Sequence, residues 1–68
     1  MNIRKLKGVL VSNGDNQGIL AEWMGISQGT LSAKMNEKRG AQFTLSEIKK
    51  IIERYNLTDH EVVEIFFS

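Results

Sequence analysis

The sequence predicts an all-α fold, five short helices packed around one small core. Three features carry that expectation. No stretch alternates apolar and polar residues with the two-residue period of a strand, and the chain has no proline to interrupt a helix. Apolar residues instead recur three and four apart in successive segments. Two of those segments open with the same signature, Thr44-Leu45-Ser46-Glu47 and Thr58-Asp59-His60-Glu61. In each, a threonine caps the helix and a glutamate three residues on reaches back to the cap.

The first helix is expected from about Ile3 to Val11, capped by Asn2. Ile3, Leu6 and Leu10 form its inner stripe, and Arg4, Lys5 and Lys7 stay wet. Gly8 weakens it by up to about 1 kcal/mol relative to alanine. Ser12-Asn13-Gly14-Asp15 is a turn by composition, and Asn16 or Asp15 caps the next helix. That second helix, Gln17 to Met24, places Ile19, Leu20, Trp23 and Met24 at helical spacing as one apolar face. Trp23 therefore reads as a partly buried core residue in preference to an anchor for a partner. Gly25 ends the helix, because the left-handed conformation is cheap only for glycine. Ser27 caps a third helix in which Leu31 and Met35 stand four apart on one face. A polar loop, Glu37 to Gln42, leads to the fourth helix, whose Ile48, Ile51, Ile52 and Tyr55 give a strong apolar stripe. The fifth carries Val62, Val63, Ile65, Phe66 and Phe67, with Val62 and Phe66 able to face the core.

Two helices with a small residue (Ala21) at their approach, a turn glycine and an aliphatic six residues later have the steric pattern of a helix-turn-helix. Here the sequence resembles a known family. Gln17, Ala21, Gly25, Ile26, Leu31 and Ser32 match the motif of the phage-repressor family, the lambda-repressor-like and Cro-like DNA-binding domains. A phage and Gram-positive subgroup is similar over Ser32, Lys34 and Met35-Asn36, and again over Phe43-Thr44-Leu45 and Glu47. Lys34 stands where many members have a buried aliphatic. The resemblance spans nearly the whole chain and implies a compact five-helix lambda-repressor-like domain over residues 1–68. It implies a sequence-specific transcription regulator, a small Cro-like repressor that binds operator DNA as a homodimer.

On that reading the third helix enters the major groove, whose width admits an α-helix. Gly29 and Ala33 lie almost opposite Leu31, so the groove-facing surface is small and part of any preference would come from DNA shape. The expected base-reading residues are Gln28, Thr30, Ser32 and Ala33. Gln28 can bind an adenine bidentately, and Ala33 can touch a thymine methyl. The expected phosphate contacts are Gln17, which the resemblance places at phosphate, with Ser27, Lys34, Lys38, Arg39 and Thr44.

Net charge is only +1, but its distribution is polar. Residues 1–43 hold six basic against three acidic residues, whereas residues 44–68 hold three against five. The half with the motif is basic and the other acidic, as suits a module with one face toward phosphate. There is no cysteine and only one histidine, so neither a thiolate metal site nor a catalytic dyad can be assembled. No enzyme activity, cofactor, metal, small-molecule substrate or membrane segment is expected. The expected location is the cytoplasm of a bacterial host, with the nucleoid. His60 reads as a solvated helix residue, with a subunit contact as the alternative. Val63 and Phe67 exceed what so small a core can cover. These three residues, His60, Val63 and Phe67, are the expected dimer contact. The competing reading is a protein-interaction module of antitoxin or antirepressor type on the same fold, using the fifth helix and Trp23.

Overall fold

The computed structural model describes residues 1–67. Its elements are α1 (Ile3–Ser12), α2 (Gln17–Met24), α3 (Gln28–Met35), α4 (Leu45–Tyr55) and α5 (Asp59–Phe66), with a 3₁₀ turn at Lys38–Gly40. The protein is all-α, with no strand among the described residues.

Each helix begins where a side chain can satisfy an otherwise orphaned amide. Asn2 accepts from the amide of Lys5, Asn16 from Ile19, and Ser27 from Thr30. Thr44 and Thr58 both complete reciprocal capping boxes, with Glu47 and Glu61. Of the two candidates before α2, Asn16 takes the cap, which leaves the Asp15 carboxylate for a tertiary role. Two ends close through a left-handed residue. Gly25 (φ 75°) lets the amide of Ile26 reach the carbonyl of Ala21 at 3.0 Å, and Asn56 (φ 49°) does the same for Leu57 and Ile52.

Leu6, Leu10, Leu20, Ala21, Leu31, Met35, Ile51, Tyr55, Leu57 and Ile65 make the core, so all five helices contribute. The buried face of α2 differs from the one its spacing suggests. Leu20 and Ala21 are buried and Met24 is partly buried, whereas Ile19 and Trp23 are 41% and 45% exposed. Trp23 is therefore a surface residue and not part of the core. The physical reason is the partner: α2 packs chiefly on α3, and the small Ala21 turns inward to allow it. That rotates the stripe by about one residue, roughly 100°, and carries Ile19 and Trp23 outward.

On the other side α1 packs along α5. The amide of Asn2 donates to the carbonyl of Ile65 at 2.7 Å, and Lys5 pairs with Glu64 at 3.2 Å. Ile65 is the fully buried anchor of α5, with Val62 and Phe66 half-buried beside it. Phe66 meets Phe43 edge-to-face, with centroids 6.2 Å apart. Val63 and Phe67 are left outside, 56% and 67% exposed.

Candidate functional site

Leu31 and Met35, both buried, pin α3 to the core. Its other side is partly exposed. Gln28, Gly29, Thr30 and Asn36 are exposed, and Ser32 and Ala33 are half-buried. The side-chain amide of Asn36 donates to the carbonyl of Ser32 at 2.9 Å and so secures the last turn. Ser27 uses its hydroxyl inside α3, accepting from the amide of Thr30 and donating to the Thr30 hydroxyl at 2.9 Å.

The first turn of α3 lies against the first turn of α2. The Gln28 side-chain nitrogen sits only 2.9 Å from where a Cβ at position 18 would be, with the Asn16 carboxamide oxygen 3.2 Å from the same point. Gly18 thus makes room for the Gln28 amide. Gln17, half-buried, begins α2 at the same corner. The Gln28 side chain thus reaches from the start of α3 to the first turn of α2.

At the other end, the 3₁₀ turn packs directly on α3 and carries Lys38 and Arg39, both exposed and in no ion pair among the described residues. The turn is strained. Glu37 (φ 52°) and Arg39 (φ 53°) hold the left-handed conformation that residues with a Cβ rarely adopt. Glu37 is fastened by the Met1 ammonium at 2.7 Å. Thr44 is engaged in its capping box: its amide donates to Glu47 at 2.8 Å and its hydroxyl accepts from the Glu47 amide.

Lys34, expected at phosphate, is engaged within the chain. Its ammonium donates to both carboxylate oxygens of Glu47, at 2.7 and 2.6 Å, and the two side chains are 18% and 16% exposed. A lysine this enclosed needs a partner, and Glu47 lies within reach because α4 begins beside the last turn of α3. The Glu47 pKa is lowered: burial works against this, but hydrogen bonds from Lys34 and from the Thr44 amide outweigh it. Spacing along the sequence offered no means of finding this partner, thirteen residues away.

A second cluster had no local signature at all. The Tyr55 hydroxyl donates to Asp15 at 2.7 Å, and Arg54 bonds the same carboxylate oxygen at 3.0 Å. The Arg54 guanidinium lies 4.8 Å from the centre of the Trp23 ring and 5.6 Å from that of Tyr55. The Tyr55 hydrogen bond, with Arg54 beside it, holds the Asp15 carboxyl below its usual range. Burial and the hydrogen bond to Asp15 push the Tyr55 phenol up to about 12. Arg54, on the polar side of α4 by spacing, is thus tied down, whereas Lys49 and Lys50 stay exposed.

His60, Val63 and Phe67 lie together on the outer side of α5, all exposed; His60 also pairs with Glu64. A surface cleft of about 530 Å³ runs between α1 and the α4–α5 turn and shares no lining residue with α2 or α3. Among the described residues no His, Cys, Asp and Glu cluster could hold a metal ion, and no helix is long and apolar enough to cross a membrane.

No family model, curated protein or solved structure matches this chain.

Proposed function

We propose that the protein is a sequence-specific DNA-binding transcription regulator, a small Cro-like phage or prophage repressor acting in the cytoplasm of a bacterial host. One observation carries this reading. α3 is anchored on one side by Leu31 and Met35, exposes Gln28, Gly29, Thr30 and Asn36, and is flanked by the exposed cations Lys38 and Arg39. In this reading the helix-turn-helix formed by α2 and α3 places α3 in the major groove. Gln28, Thr30, Ser32 and Ala33 then meet base edges. Gln17, Lys38 and Arg39 hold phosphates, with Ser27 and Thr44 adding what their hydroxyls leave free. Two copies joined through His60, Val63 and Phe67 present two α3 helices one duplex turn apart, about 34–36 Å. Protomer extents of 27 × 25 × 21 Å are compatible with that spacing.

The test is a titration of duplex DNA from beside the protein's own gene against random duplex, repeated across salt concentrations. A dimer contacting about 6–10 phosphates gives a log–log salt slope of roughly −5 to −9. Gln28→Ala lowers the preference for operator over random DNA by roughly 1–3 kcal/mol. A slope near zero, or no preference for any duplex, refutes the reading.

The exposed Ile19 and Trp23, four apart on α2, favour a second reading, a protein-interaction module of antitoxin or antirepressor type. Salt-dependent duplex binding that survives Trp23→Ala separates the two in favour of DNA.

A further inference from the structure

The ion pair between Lys34 and Glu47 sits where three parts of the candidate site meet. Lys34 belongs to the last turn of α3, and Glu47 to the first turn of α4. The segment between them carries Lys38 and Arg39. One carboxylate does two jobs here. It accepts from the Thr44 amide at 2.8 Å, closing the α4 cap, and from the Lys34 ammonium at 2.7 and 2.6 Å. The start of the same segment is fastened separately, Glu37 to the Met1 ammonium. A turn with two residues in the left-handed region keeps that shape only when its surroundings hold it. The pair closes the far end of that turn.

We infer that Lys34 and Glu47 are positioning residues for DNA binding, which hold the end of α3 and the Lys38–Arg39 turn as one rigid unit before the duplex arrives. This rests on the regulator reading above and adds to it a residue pair that touches no DNA. An ordered clamp loses less conformational entropy on binding than a loose one, so the pair acts through affinity and leaves the number of phosphate contacts unchanged. The opposite assignment, Lys34 as a phosphate ligand, predicts the opposite sign for Glu47→Gln and a smaller salt slope for Lys34→Met, which makes the question decidable.

The experiment uses Glu47→Gln, which keeps an amide able to complete the capping box, with Lys34→Met, which keeps the apolar stem, and the double variant. Circular dichroism establishes that each is folded before its affinity for the operator duplex is measured across salt. Each single variant weakens operator binding about tenfold, the double variant by little more than either, and the salt slope stays at the parent value. Lys34→Arg, which preserves the pair, retains parent affinity. If Lys34 instead met phosphate, Glu47→Gln would free a cation and tighten binding, and Lys34→Met would reduce the slope by about 1. Either result overturns the inference. Amide hydrogen exchange over residues 37–43 in the free protein separates this failure from failure of the regulator reading. Faster exchange in Glu47→Gln supports the clamp even where the parent binds no duplex, and unchanged exchange refutes it.

Discussion

Replacing Ile65 and Phe67 by alanine, one at a time, gives opposite outcomes although both are large apolar residues at the end of α5, Ile65 in its last turn and Phe67 as its C-cap. Ile65 is fully buried among the core residues, and its backbone carbonyl receives the Asn2 amide. Ile65→Ala removes three buried carbons, a loss of about 2.5 kcal/mol at about 0.8 kcal/mol each, before any cavity contribution. A 68-residue domain has about 3–10 kcal/mol of stability in total, so this change removes a large share. At about 4–8 °C per kcal/mol it lowers Tm by about 10–20 °C. Phe67 is 67% exposed, and its truncation shifts the stability of a dilute protomer by no more than about 0.5 kcal/mol. If the outer side of α5 joins two copies, Phe67→Ala also abolishes the rise of Tm with protein concentration. Thermal melts followed by circular dichroism, at two concentrations at least about tenfold apart, measure both effects. A Phe67→Ala protein as destabilised at low concentration as Ile65→Ala would refute the assignment of the two sides of α5.

The remaining expectations concern the turns and the titrating groups. Gly25→Ala forces a Cβ into the left-handed region at φ 75° and costs about 1–2 kcal/mol, read as a shift in urea midpoint. Asp15 and Glu47 have lowered folded-state pKa values, so their contribution to stability is complete above the ordinary carboxylate range. It is lost as pH falls through the folded values. The urea midpoint is therefore steady near neutral pH and drops below about pH 4, and Asp15→Asn makes that acid drop shallower. Tyr55 titrates in the other direction. Its phenol is pushed up to about 12, so the stability it adds is present below its ordinary value and lost as pH rises through the folded one. Because Tyr55 is the only tyrosine, ultraviolet tyrosinate absorbance reports it alone, and an ionisation midpoint near 10 would contradict its burial and its hydrogen bond to Asp15.

Much of the local structure is legible in the sequence because its causes are local. A cap needs a side chain within three residues of the amide it satisfies, and Asn2, Ser27, Thr44 and Thr58 all meet that need within their own segments. Gly25 ends α2 for a reason internal to one residue, its freedom at positive φ. Leu31 and Met35, four apart, mark the buried side of α3 whatever they pack against.

Other features depended on which helix lies against which. Periodicity groups Ile19, Leu20, Trp23 and Met24 together, but the close packing of α2 on α3 through Ala21 decides which of them face inward. The same holds for charge. Lys34 reads as a free cation until α4 brings Glu47 to it from thirteen residues away, and Arg54 reads as a wet side chain until Asp15 arrives from thirty-nine. By itself the sequence determined the helices, their ends and the inner face of α3. The tertiary structure alone decided which charges were left over, because pairing between distant residues depends on the closed chain and not on spacing along it.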